Sequence, residues 1–102
     1  MIMHVVMWKL KDVAEGKDKK QNAEIIKAEL EALKQEIQEI KSIEVGINSP
    51  KAPNSNYDVV LISEFEDFEA LNRYATHPSH LRVGEFIKKV VNSRVAVDYD
   101  IK

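Results

Sequence analysis

The segment Tyr-Ala-Thr-His-Pro-Ser-His at residues 74–80 concentrates side chains that can hold and transfer protons. It contains Tyr74, His77 and His80, and the only other histidine of the chain, His4, lies near the start. An imidazole changes its charge close to neutral pH, so a histidine in this segment could act as a general acid or base. The chemistry that this set suits is the transfer of a proton to or from a bound ligand.

Pro78 divides the segment between two helices. A proline disfavours helical geometry in the residue before it and suits the first position of a new helix. We therefore expect one helix to end just before residue 77 and the next to begin with His77 as its N-cap, where a side-chain acceptor binds free backbone amides.

His80 lies three residues before Val83 in the second helix, which places its side chain on the buried stripe. The positive end of a helix dipole disfavours an imidazolium, so we expect His80 to be neutral and able to accept a proton. Tyr74 lies on the apolar side of the preceding helix, and its hydroxyl needs a partner when buried, for which His80 is the candidate. We interpret His80 as the base and Tyr74 as its orienting partner. His4 joins the catalytic candidates if its strand face lies under the helices.

The spacing of His77 and His80 also allows a metal site with His4 as a third ligand. The proline between them spoils the helical geometry, and the glutamate of the helical zinc motif is absent. The three glycines are scattered at positions 16, 46 and 84 and form no phosphate-binding loop. We therefore predict neither a metal nor a cofactor.

Two long helical patterns alternate with four strand patterns along the chain. Apolar residues recur at helical spacing over residues 18–40 and over 68–91, with the break at 77–78, and they alternate over 2–10, 42–48, 57–65 and 93–101. The order strand, helix, strand occurs twice, which predicts an α+β, ferredoxin-like βαββαβ fold whose four-stranded antiparallel sheet has its first and third strands in the centre. A length of 102 residues allows one domain, residues 1–102. We expect the last strand to bury Val95, Val97, Tyr99 and Ile101.

The two central strands of this sheet are apolar on both faces. Two helices cover only one face, so the other would leave apolar side chains in contact with water in a monomer. We therefore predict a symmetric homodimer in which two sheets face each other and the helices lie outside. The residues expected at the interface are Met3, Val5, Met7, Val60 and Ile62.

Charge and composition exclude several classes of partner. The net charge is −2, and the lysines are interleaved with glutamates, whereas binding to nucleic acid or to an anionic membrane calls for a concentrated basic patch. The apolar stretch at residues 1–10 is too short to cross a bilayer and has no basic leader. We expect a cytoplasmic protein without a nucleic-acid or membrane partner.

Three parts of the chain resemble the stress-responsive dimeric α/β-barrel (Dabb) family: MHVVMWKLKD at 3–12, YATHPSH followed by VGEFIKKVV at 74–91, and VAVDYD at 95–100. The resemblance implies a dimer of α/β barrels with a pocket between sheet and helices in each subunit. Plant members act as polyketide cyclases, in which the last histidine of the segment is the general base and the tyrosine helps to position the substrate. These roles would fall on His80 and Tyr74, and the resemblance implies removal of a proton next to a carbonyl group, as in an aldol-type cyclisation or a lyase step. The family pattern is matched by His4, by Tyr74, His77, Pro78 and His80, and by Asp98 and Tyr99.

We predict a protein that binds a small apolar or aromatic ligand between sheet and helices. Two alternatives remain open at this point: a non-catalytic stress or ligand-carrying dimer, and a haem-degrading monooxygenase of the kind found among related dimeric α/β barrels. The residues expected to bind the ligand are Trp8, Val59, Leu61 and His77.

Overall fold

Alternating apolar residues form four long strands and a short hairpin in the computed structural model, which describes residues 1–101. The helices are α1 (Lys19–Ala32), α2 (Phe68–Thr76) and α3 (Pro78–Val90), and α1 continues into a 3-10 turn at Leu33–Gln35. The strands are β1 (Ile2–Leu10), β2 (Val13–Ala14), β3 (Lys17–Asp18), β4 (Ser42–Ile47), β5 (Val59–Phe65) and β6 (Val91–Asp100).

The main sheet has the strand order β4-β5-β1-β6, and every neighbouring pair is antiparallel. The first and third long strands of the chain, β1 and β5, are therefore central, as the sequence predicts. Val6 of β1 is level with Leu61 of β5 and with Ala96 of β6, which fixes the register across the middle of the sheet. This is the predicted α+β, ferredoxin-like fold.

The three helices pack on one face of the sheet and bury a single apolar core. Aspartate side chains fix where two of these helices begin: Asp18 caps α1 in a capping box with Gln21, and Asp67 caps α2. The most deeply buried members of the core are Ile26, Phe65 and Val90. No helix among residues 1–101 is long and apolar enough to cross a membrane.

The first helix is shorter than the pattern over residues 18–40 predicts, because regular α-helix ends at Ala32. The backbone amides of Glu36 and Ile37 both bond to the carbonyl of Leu33, which tightens the helix end into a 3-10 turn. Glu36 then accepts a hydrogen bond from the Ser79 hydroxyl at 2.9 Å, so the following segment is held against α3. Ile37 and Ile40 remain buried without helical backbone, which explains why the apolar pattern overshoots the helix.

The burial expected for the last strand is wrong for the single subunit. Val95 and Val97 of β6 are level with Met7 and Val5 of β1, on the sheet face that carries no helix. The same face of β6 carries Tyr99, and these side chains are exposed, as is Ile101. The predicted alternation of the strand is present, but its apolar side faces away from the helices.

Residues 13–18 form the β2–β3 hairpin, whereas the sequence pattern predicts only a polar turn there. Glu15 and Gly16 both have positive φ, 53° and 73°, which suits a two-residue turn between antiparallel strands. The hairpin precedes α1 directly and is joined to it by Asn22, whose side-chain amide donates to the carbonyl of Ala14 at 3.0 Å.

Candidate functional site

His77 and Pro78 join α2 to α3 in the way the sequence predicts. His77 has extended backbone geometry, and its Nδ1 accepts a hydrogen bond from the Ser79 amide at 3.0 Å. Pro78 occupies the first turn of α3. The imidazole of His77 caps α3 and so sets the residue at which the helix begins. That start determines the position of His80 in the first turn.

An open cleft of about 180 Å³ lies between α3 and the helix-covered face of the sheet. His4 and His80 both line it, from β1 and from α3 respectively. Gly84 of α3 leaves room in the cleft, since a Cβ added there would meet no atom within 4 Å. The apolar part of the lining consists of Val6, Trp8, Leu30, Leu61, Ile87 and Val91, and the charged part of Lys88 and Arg94.

His80 offers a free ring nitrogen to this cleft. Its Nδ1 lies 3.0 Å from the carbonyl oxygen of Ala75, and because a carbonyl only accepts, Nδ1 carries the hydrogen and Nε2 is left free. Burial holds the pKa of His80 below its usual value of 6.5, against the opposing effect of the Ala75 hydrogen bond. The sequence predicts a neutral His80 because of the helix dipole. In the structure, the largest cause of its lowered pKa is burial of the imidazole.

His4 is held in a comparable way from the sheet. Its Nδ1 lies 2.5 Å from a carboxylate oxygen of Asp98, directly across from it on β6. A carboxylate accepts, so this hydrogen bond also places the hydrogen on Nδ1 and frees Nε2. His4 is buried, and the cleft is where its free nitrogen can meet a ligand.

Tyr74 connects the two histidines through its ring. The ring centroid of Tyr74 is 4.4 Å from that of His80 and 6.2 Å from that of His4, so the three predicted catalytic side chains are together. The expected hydrogen bond from Tyr74 to His80 does not form, because the rings approach each other while the buried hydroxyl has no partner among residues 1–101. Burial raises the pKa of Tyr74 well above its usual value.

Replacing Tyr74 by phenylalanine is expected to stabilise the fold. The hydroxyl loses water on folding and gains no hydrogen bond, so Tyr74→Phe should raise the free energy of unfolding by about 1 kcal/mol. Urea denaturation followed by circular dichroism measures this, with Tyr57→Phe as the control in a less buried tyrosine. A loss of stability in Tyr74→Phe alone would show that the hydroxyl has a partner.

The structure brings together only part of the predicted ligand-binding set. Trp8 and Leu61 line the cleft with the histidines. His77 is engaged as the helix cap, and Val59, which is level with Trp8 on the neighbouring strand β5, lines a separate pocket formed with the loop of residues 48–58. Neither of them lines the cleft.

Sequence reasoning gave no role to Gly84, Lys88 and Arg94, and it named Asp98 only as part of the family pattern, without its contact to His4. Counting forward from His80 in steps of four gives Gly84 and Lys88, so the helical period contained the signal for these two. The positions of Asp98 and Arg94 depend on the register between β6 and β1, which sets Asp98 opposite His4 and Arg94 opposite Trp8.

Among residues 1–101, no cluster of three or more histidine, cysteine, aspartate or glutamate side chains could hold a metal ion.

Fold and site together define a ferredoxin-like α+β protein with a small cleft in which two histidines present free nitrogens. The chain belongs to the Dabb family: the model of the Stress Responsive A/B Barrel Domain matches residues 2–101. No curated protein matches the chain closely enough to count as a relative.

Solved structures share this fold over nearly the whole chain. A dimeric protein of unknown function with a ferredoxin-like fold from Bacteroides fragilis is 34% identical, with a TM-score of 0.87, and the match covers 98% of this chain and 95% of that one. A dimeric ferredoxin-like protein from Thermobifida fusca is 23% identical, with a TM-score of 0.83 and coverage of 98% and 90%. A hydroxynitrile lyase from Passiflora edulis is 17% identical, with a TM-score of 0.79 and coverage of 99% and 93%.

Proposed function

We propose that the protein binds a small apolar or aromatic carbonyl compound in the cleft and that His80 removes a proton next to the carbonyl group. The observation that carries the proposal is the arrangement of two imidazoles on one cleft. In both His80 and His4, Nδ1 is occupied by a protein acceptor, and Nε2 is the nitrogen left for a ligand. The plant lyase shares only the fold, so the proposal depends on the residues of this cleft.

The environment of His80 suits a general base. A base must be unprotonated before it reacts, and the lowered pKa of His80 keeps it neutral at physiological pH. Proton removal from carbon then leaves an enolate and an imidazolium on His80, which returns the proton in a later step. His4, oriented by Asp98, offers a second nitrogen to the ligand.

Tyr74 adds a further argument for function. A buried hydroxyl without a partner is rare in native structures, and such groups are found where strain or chemistry requires them. The Tyr74 ring is packed against the rings of His80 and His4 and does not itself line the cleft, so in this proposal it positions the two imidazoles from behind. Tyr74→Phe keeps that ring and should therefore stabilise the protein without displacing the imidazoles.

The size of the cleft limits the ligand. Its volume of about 180 Å³ is below the roughly 300–1,000 Å³ of pockets for drug-sized ligands. A single aromatic ring with a short side chain suits this space, and the apolar lining favours its burial.

Deuterium exchange into 4-phenylbutan-2-one tests the proposal without the natural substrate. A base that removes a proton next to the carbonyl replaces it with deuterium from D₂O, and proton NMR follows the loss of signal. We expect the wild-type protein to accelerate exchange above buffer. Gly84→Leu should reduce that acceleration at least about tenfold by filling the cleft, whereas Gly84→Ala should retain most of it.

Exchange no faster than in buffer would contradict this function and favour the non-catalytic, ligand-carrying alternative. The haem-degrading alternative has its own test, because haem bound through a histidine shifts the Soret band during a titration. An unchanged band would exclude the haem-degrading alternative.

The cytoplasmic location expected from the sequence stays a prediction that cell fractionation can check.

We further propose that two copies associate through the sheet face that carries no helix. Met7 and Ile62 are exposed there, and Met3, Val5 and Val60 are partly buried. The apolar residues of β6 extend the same face to the edge of the sheet. The relatives from Bacteroides fragilis and Thermobifida fusca are both described as dimeric, which supports this assembly.

A further inference from the structure

Arg94 lies on the helix-covered side of the edge strand β6, level with Trp8 of β1. It lines the cleft together with both histidines. Its positive charge is near enough to His80 to contribute to the lowered pKa of that imidazole. Arg94 is exposed, which places the guanidinium at the mouth of the cleft and not in its apolar interior.

Arg94 differs from the other two arginines in having no acidic partner among residues 1–101. Arg73 pairs with Glu39 at 3.0 Å, and Arg82 pairs with Glu36 at 3.3 Å. Asp98, the carboxylate four residues further along the same side of β6, is about 13 Å away along the strand and is bonded to His4. The guanidinium of Arg94 is therefore free to bind an anion from solution.

No carboxylate lines the cleft itself, and the carboxylate of Asp98 beside it is engaged with His4. Its described lining includes Lys88 and Arg94 but no aspartate or glutamate, although the whole chain carries a net charge of −2. Lys88 is partly engaged, because its Nζ lies 3.9 Å from a carboxylate oxygen of Glu85. Arg94 is thus the cationic side chain of the lining that has no acidic partner among residues 1–101, and its planar donors suit the two oxygens of a carboxylate.

From this arrangement we infer that the ligand is an acid: a small apolar or aromatic body that enters the cleft and a carboxylate that remains at the mouth, bound by Arg94. The inference rests on the proposed function, because it assigns the charge of the ligand in the same cleft. Arg94 would then determine specificity at the mouth of the cleft by selecting ligands that carry a carboxylate. Neutral molecules of the same shape should bind less tightly.

A matched pair of probes tests this inference: 3-phenylpropanoate and its neutral analogue 3-phenylpropanamide. Each is titrated into carbon-13-labelled protein, and the ring signals of His4 and His80 report occupation of the cleft. We expect the carboxylate to bind about fivefold more tightly than the amide at low ionic strength. Arg94→Gln should remove that preference, whereas Arg82→Gln, on the outside of α3, should leave it intact.

The outcomes separate the two proposals. If both probes shift the histidine signals with equal affinity, or if Arg94→Gln keeps the preference for the carboxylate, the inference about charge is wrong and the cleft remains a ligand site. If neither probe shifts the histidine signals, the cleft does not take an aromatic ligand, and both proposals are contradicted. A preference that disappears in 1 M NaCl supports the inference, because screening weakens an exposed ion pair.

Discussion

Replacing Val97 by aspartate is expected to convert the proposed dimer into monomers. Val97 is 61% exposed in the single subunit and lies across from Val5 on the sheet face without helices. If this face is covered by a second copy, each dimer would have to bury two unpaired carboxylates in an apolar interface. We expect the dissociation constant to rise at least about 100-fold. Light scattering should give twice 11.7 kDa for the wild type and 11.7 kDa for Val97→Asp.

Leu81→Asp is the matched control for this experiment. Leu81 is an apolar residue of similar exposure, 53%, but it lies on α3, away from the proposed interface. Aspartate at this position should therefore leave the proposed dimer intact. A wild-type mass of 11.7 kDa at micromolar concentration, or a Val97→Asp variant that stays dimeric, would contradict the assembly.

Replacing His80 by glutamine is expected to remove most of the proton-transfer activity. Glutamine fills a similar volume but cannot take a proton from carbon, so exchange into 4-phenylbutan-2-one should slow about 100-fold or more relative to the catalysed rate. The natural control is His77→Asn, which removes the neighbouring imidazole and supplies another good N-cap to α3. That variant should keep its activity.

The comparison of the two variants also distinguishes a loss of the base from a loss of activity caused by unfolding. Both are checked by thermal unfolding before the exchange assay, and only folded protein is compared. Equal activity of His80→Gln and the wild type would remove His80 from the mechanism. Equal loss in His80→Gln and His77→Asn would point to the geometry of the helix break instead of to a base.

Much of the fold follows from patterns that are local in sequence. The alternation along β1 and β5 predicts two central strands because both faces of each carry apolar side chains. Pro78 predicts the break between α2 and α3 because of its fixed geometry, and that break in turn orients His80. Local rules of this kind predict that Tyr74 and His80 lie on the buried side of their helices, whereas His4 joins them only because its face of β1 is the one that the helices cover.

The remaining features depend on pairing between distant parts of the chain. Which side of β6 faces the helices is set by its register with β1, and the same register places Asp98 beside His4 and Arg94 at the cleft. A strand that alternates apolar and polar residues does not reveal which face is covered by helices and which by a second subunit. For the same reason the pattern of β6 alone predicts that its apolar side belongs to the core, although that side lies on the open face.

Nitrogen-15 NMR of the His80 ring tests the central claim most directly, namely that a neutral imidazole keeps its proton on Nδ1 and presents Nε2 to the cleft. We predict the Nδ1–H form at about pH 7 and a titration midpoint below 6.5, since burial disfavours the charged ring and the Ala75 carbonyl holds the Nδ1 hydrogen. A ring protonated on Nε2, or one that is already an imidazolium at about pH 7, would contradict the account.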